Sequence, residues 1–233
     1  MSKRRRLSSE QIEQEIALTA KQPFVPVLEA LLTDPKMFSS FDRFRSGGFH
    51  LVDHSETKIM SGSHKRLPGL LVKKYNDDRP GKDQLRNYMH RVEGARLLRD
   101  FITGHNFRRV VAPQKFLYEL SPSFPERYLV VAEKLDLLSR SDTEKAYGNL
   151  DKEQAQELAQ ILYYFRGLNS TAANLPFTEK GKIAFIDTER WHHDKDLLRK
   201  VGDRLSGKRL EEVEAVHREL SRRGERPLES TFK

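Results

Sequence analysis

A chain of 233 residues, 37% hydrophobic and 33% charged, has room for one large domain or two small ones at roughly 100–200 residues each. No window approaches the roughly 20 apolar residues that span a membrane, no apolar stretch follows the basic start MSKRRR, and Cys is absent; transmembrane and classically secreted proteins, disulfide frameworks, Cys-ligated metals and thiol nucleophiles are not expected, and a reducing, cytoplasmic location is. Lys+Arg 42 against Asp+Glu 34 leaves +8 spread along the chain, which suits anionic ligands, but with no aromatic-interleaved basic strand or recognition helix nucleic acid is not an expected partner.

Residues Ser9 to Leu32 carry apolar residues at helical spacing, broken at Pro23 and Pro26, which predicts two helices. From Phe38 to Tyr75 the runs FRSGGFHLVD, TKIMSGSH and PGLLVKKY are bounded by turn residues and read as strands and hairpins. Asp83 to Ile102 returns to helical spacing, with Gly104 as the stop. RRVVAPQKFLYEL and RYLVVAEKLDLL are two further strand segments around a loop at Ser121 to Glu126. Asp151 can cap a helix whose third residue is Gln154, with Ala155, Leu158, Ala159, Leu162 and Phe165 on one face and Gly167 ending it. A loop containing Glu179-Lys180-Gly181 then leads into the apolar strand KIAFID. Beyond Trp191, read as a packing residue, the chain is charged and helical, with stripes at Leu197, Leu198, Val201 and Leu205 and at Leu210, Val213, Val216 and Leu220.

Asn174 stands thirteen residues before Asp187, at the other end of what reads as a small hairpin. An amide oxygen and a carboxylate delivered side by side can share one Mg²⁺, a hard cation that fills its shell with oxygens, phosphate oxygens among them. Equally, such a pair can satisfy turn amides alone. In LLVKKY strand alternation puts Leu71, Lys73 and Tyr75 on one face and Leu70, Val72 and Lys74 on the other, so one lysine points inward and needs an anionic partner. Glu93 on the following helix is one, nucleotide phosphates another; the other reading leaves Lys74 solvated on an edge strand and pairs Glu93 with Arg96 or Arg99. The cluster His192-His193-Asp194-Lys195-Asp196 reads as a solvated helix start, because adjacent helical histidines point apart.

The order of these parts resembles the protein-kinase-like fold. SGGFHLV stands where a glycine-rich loop would be, LLVKKY resembles the strand with the phosphate-binding lysine and RVEGARLL the glutamate-bearing helix. YLVVAEKLD resembles the strand and hinge that receive adenine, and ANLPFTEKGKIAFIDTE is similar to the metal-binding loops of aminoglycoside- and lipopolysaccharide-type kinases. The resemblance implies an α+β, kinase-like protein: an N-terminal helical extension (1–37), a strand-rich lobe with hinge (38–138) and a reduced helical lobe (139–233). It implies that Gly47, Gly48, Lys73, Glu93, Glu133 and Leu135 serve ATP binding, and that Asn174 and Asp187 hold Mg²⁺. The chain departs from the family where a catalytic aspartate would stand, five residues before Asn174, because the residue there is Asn169; Thr188-Glu189 replace the usual phenylalanine-glycine. Two functions follow: an atypical phosphotransferase in which Asn169 orients the acceptor, a protein or small molecule, or a pseudokinase kept for nucleotide or protein binding. A bacterial cytoplasm suits both, with delivery into a host cell left open.

Overall fold

Residues 9–52, 59–75, 81–125, 127–165, 174–188 and 201–228 are described by a computed structural model. The protein is mixed α+β: among the described residues it has seven α-helices, a five-stranded antiparallel sheet and a two-stranded parallel pair. No described helix is long and apolar enough to cross a membrane.

The two proline-separated helices form as expected, α1 at Ser9–Ala20 and α2 at Val25–Leu31, with Pro26 in the first turn of α2, where a missing N–H costs no hydrogen bond. FRSGGFHLVD differs from its strand reading. Its first three residues end α3, Phe41–Ser46, which is capped by the Ser40 hydroxyl accepting from Arg43 N (3.2 Å). The strand there is only β1, His50–Leu51. Next come β2 (Ile59–Ser63), β3 (Leu70–Tyr75) and the 24-residue helix α4 (Gly81–Gly104). RRVVAPQKFLYEL divides at Pro113 into β4 (Val110–Val111) and β5 (Lys115–Glu119), and β6 follows at Tyr128–Glu133. Then come α5 (Arg140–Gly148), which the sequence reading left unassigned, α6 (Lys152–Tyr164), β7 (Ile183–Ala184) and α7 (Gly207–Arg222).

Contacts divide the chain into a sheet unit, 4–93 with 114–134, and a helical unit, mainly 94–113 and 135–233. Helices α1 and α2 fall in the sheet unit.

In the sheet unit the strand order is β1-β2-β3-β6-β5, all antiparallel. One face, with Met60, Val72, Val131 and Leu129, is covered by Leu28, Leu32, Phe38 and Phe44 from the N-terminal segment. The opposite face, with Leu117, Val130 and Ala132, is covered by Tyr88, Met89 and Val92 of α4 and by Ile12 and Ile16 of α1. A sheet buried on both sides explains the almost continuous apolar run in LVVAE.

The helical unit is built around α6. Its N-terminus carries the full capping box, Asp151 accepting from Gln154 N (2.7 Å) and Gln154 accepting from Asp151 N (2.8 Å). Leu158, Ile161, Leu162 and Phe165 pack against Leu98, Val110, Tyr147, Leu175, Phe177, Ile183 and Phe185. Ala155 and Ala159 present small side chains to Val213 of α7.

Candidate functional site

The segment from Asn174 to Asp187 forms the hairpin that the spacing predicted. Gly181 N donates to Thr178 O (2.9 Å) to close the turn, Thr178 N to Lys182 O (2.8 Å), Ala184 N to Pro176 O (2.8 Å) and Ile186 N to Asn174 O (3.2 Å). Gly181 has φ +72°, a left-handed conformation that glycine adopts freely. Neighbours fix both edges. On one, Leu138 N donates to Phe177 O and Glu179 N to Asp136 O; on the other, β7 pairs in parallel with β4, Ile183 N donating to Arg109 O and Phe185 N to Val111 O.

Three side chains hold this frame. Gln154, besides its capping role, donates from Nε2 to Gly181 O (2.9 Å). The Tyr147 hydroxyl donates to Leu175 O (2.8 Å), and burial raises its pKa well above the usual phenol value. Glu157, itself buried, accepts from Arg108 N (2.8 Å) and Arg109 N (2.7 Å) and so anchors the residues leading into β4.

At the mouth of the hairpin, Asn174 Nδ2 donates to Asp187 Oδ2 at 3.4 Å, both side chains half-buried. The structure therefore brings this predicted pair together. Turning the amide over would place Asn174 Oδ1 beside the carboxylate. The pair would then offer two hard oxygens, a donor set whose chemistry fits Mg²⁺. Among the described residues there is no cluster of three or more His, Asp or Glu side chains at metal-binding distances.

In the sheet unit, Lys73 pairs in register with Ser61 on one side and Val130 on the other. It therefore lies on the sheet face that α4 covers. Glu93, buried, follows Met89 by one helical turn on the covering side of α4, so Lys73 and Glu93 share one layer. The solvated reading of Lys74 does not hold: β3 is internal to the sheet and Lys74 is 1% exposed on the opposite face, its Nζ 3.5 Å from Phe38 O and 5.4 Å from the centre of that ring.

The glycine pair is placed differently from the glycine-loop reading. Gly47 is the C-cap of α3, its N–H bonded to Arg43 O, and Gly48 has φ +84°. A Cβ on Gly48 would lie 2.7 Å from His64 Nε2. Both glycines precede β1, so they end a helix instead of lying between β1 and β2. Burial lowers the pKa of the adjacent His64, with further contributions from Arg66, Lys65 and His50; its Nδ1 accepts from Arg66 N (3.1 Å).

Glu133 closes β6, with its N–H bonded to Gln114 O (2.8 Å) and its Oε2 accepting from Gln114 N (3.0 Å). The boundary between the two units falls between Lys134 and Leu135, within the segment read as a hinge. Asn169, Trp191 and the 192–196 cluster lie outside the described residues. The sequence reading passed over Glu157, Tyr147 and the second bond of Gln154; a capping box identifies Gln154 but not what its free amide hydrogens reach. No protein-family model matches the sequence, and no curated protein matches it either.

Proposed function

We propose that the chain is a small, atypical kinase-like phosphotransferase that binds ATP with Mg²⁺. The observation that carries this reading is the pairing of Asn174 with Asp187 across the ends of one hairpin. Lys73, on the sheet face covered by the helix that bears Glu93, supports it by putting a cation and a carboxylate in one layer. In this reading Lys73 holds phosphate oxygens, Glu93 orients Lys73, and Asn174 and Asp187 hold the metal. Bound Mg²⁺ would neutralise phosphate charge. Asn169 has no carboxylate to accept a proton, so it orients the acceptor hydroxyl through its amide; phosphoryl transfer depends more on positioning and charge than on proton abstraction. Glu133 and Leu135 supply main-chain groups for the base. Gly47 and Gly48 keep only their structural part.

The presence of Asn169 where the resemblance calls for aspartate favours a second reading, a pseudokinase that binds nucleotide without transfer. Melting curves with ATP, with and without Mg²⁺, test what the two readings share. Both expect a Mg²⁺-dependent rise in Tm that Lys73→Met largely removes, since a ligand held only by the folded state stabilises it by mass action. No shift with ATP or ADP would refute the nucleotide site; an equal shift with EDTA present would make Asn174 and Asp187 structural. A radiolabelled-ATP assay then separates enzyme from pseudokinase.

A further inference from the structure

Ser61 is 2% exposed, and its hydroxyl has no hydrogen-bond partner. Buried polar groups are satisfied in roughly nine cases in ten, and an unsatisfied one destabilises the fold. The surroundings of Ser61 offer one explanation. In the β2–β3 ladder it stands directly opposite Lys73, which puts the two Cβ atoms about 4.5–5.5 Å apart on one face. That face is the one on which α4 lies, with Glu93 on its covering side. Beyond Lys73 the same cross-strand row continues with Val130 and Leu117, which are apolar.

We infer that Ser61 is a phosphate-binding residue whose hydroxyl acts together with the Lys73 ammonium on a terminal phosphate oxygen of the bound nucleotide. The inference rests on the nucleotide reading above and adds to it the residue that replaces what glycine-loop amides would have supplied. The chemistry suits a hydroxyl: Oγ–H donates to the anionic phosphate oxygen while the Oγ lone pairs accept from Lys73 Nζ. In the free protein the hydroxyl is left unsatisfied, and the loss of stability is recovered when nucleotide binds.

The test uses the full chain as wild type, Ser61→Ala and Ser61→Thr, with ATP·Mg²⁺ affinity measured by calorimetry and the Tm of each free protein measured beside it. Ser61→Ala is expected to weaken ATP binding about 10- to 100-fold, the loss expected for one hydrogen bond to a charged group. Its free Tm should equal or exceed that of wild type, because an unsatisfied hydroxyl has been removed. Ser61→Thr keeps the hydroxyl and should bind ATP more tightly than Ser61→Ala. Unchanged affinity in Ser61→Ala, while wild type binds ATP, would overturn this inference and leave the nucleotide reading intact. A fall in the free Tm of Ser61→Ala would also overturn it, by giving the hydroxyl a partner within the fold. A wild type that binds no ATP would overturn the reading on which it rests.

Discussion

Glu157→Ala is the perturbation by which the frame behind the candidate metal pair can be measured. Glu157 lies on α6, yet its two carboxylate oxygens accept the N–H groups of Arg108 and Arg109, some 49 residues earlier in the chain. Arg109 O in turn accepts from Ile183 N, and Val111 O from Phe185 N, so the route from Glu157 to Asp187 runs through β4 and β7. A hydrogen bond to a charged group contributes about 1.5–3 kcal/mol. Arg108 is exposed, and water replaces part of what its amide loses, so the loss is about 3 kcal/mol in total rather than the upper sum. At about 2–4 °C per kcal/mol for a chain of this length, Tm should fall by about 6–12 °C in a calorimetric scan. Glu157→Gln, which keeps one acceptor oxygen, should fall between the variant and wild type. The Mg²⁺-dependent part of ATP stabilisation should shrink in Glu157→Ala as well, because Asp187 follows the strand that loses its support. A Tm within about 2 °C of wild type would refute the reasoning, showing that β4 is held by its other contacts.

Three further outcomes follow from particular groups. The pKa of His64 is lowered by burial and its cationic neighbours, so the unfolded chain takes up the proton first; stability present above the ordinary 6.5 should decline as pH falls below it, and His64→Gln should flatten that part of a pH series of urea melts. Tyr147→Phe removes the bond to Leu175 O and should destabilise by about 1 kcal/mol; because burial raises that phenol's pKa, wild type should also lose stability above pH 10, where the unfolded chain ionises first, and the variant should lack this component. Gly181→Ala has open space around its Cβ but φ +72°, so backbone strain alone should cost about 1–2 kcal/mol in a denaturant melt; a neutral result would mean that the turn readily changes conformation.

Local signals were the most legible. The capping box at Asp151 and Gln154, the long helix before Gly104, and a hairpin between Asn174 and Asp187 all depend on neighbours within a few turns of chain, and all are present. α3 is hard to see in the sequence because a glycine pair beside a short apolar run also suits a loop between strands, whereas Ser40 and Gly47 are the cap and stop of a short helix. α5 carries mostly polar residues and buries only Thr143 and Tyr147, too few to mark a stripe. The burial of Lys74 could not be read from β3 itself, because alternation alone does not reveal that the N-terminal segment covers the second face. For the candidate site, the sequence placed Asn174 and Asp187 at two ends of one hairpin. It could not disclose Glu157 or Tyr147, whose partners lie 28 to 49 residues away.

The central claim is that Asn174 and Asp187 hold a divalent cation together with nucleotide. Electron paramagnetic resonance of free Mn²⁺, used as a probe for Mg²⁺, follows this directly when ATP is titrated into the protein. The account predicts that wild type with ATP removes more free Mn²⁺ signal than ATP or protein alone, and that Asp187→Ala, with unchanged circular dichroism, abolishes this difference. Equal Mn²⁺ retention by wild type and Asp187→Ala, or none beyond that of ATP by itself, would contradict it.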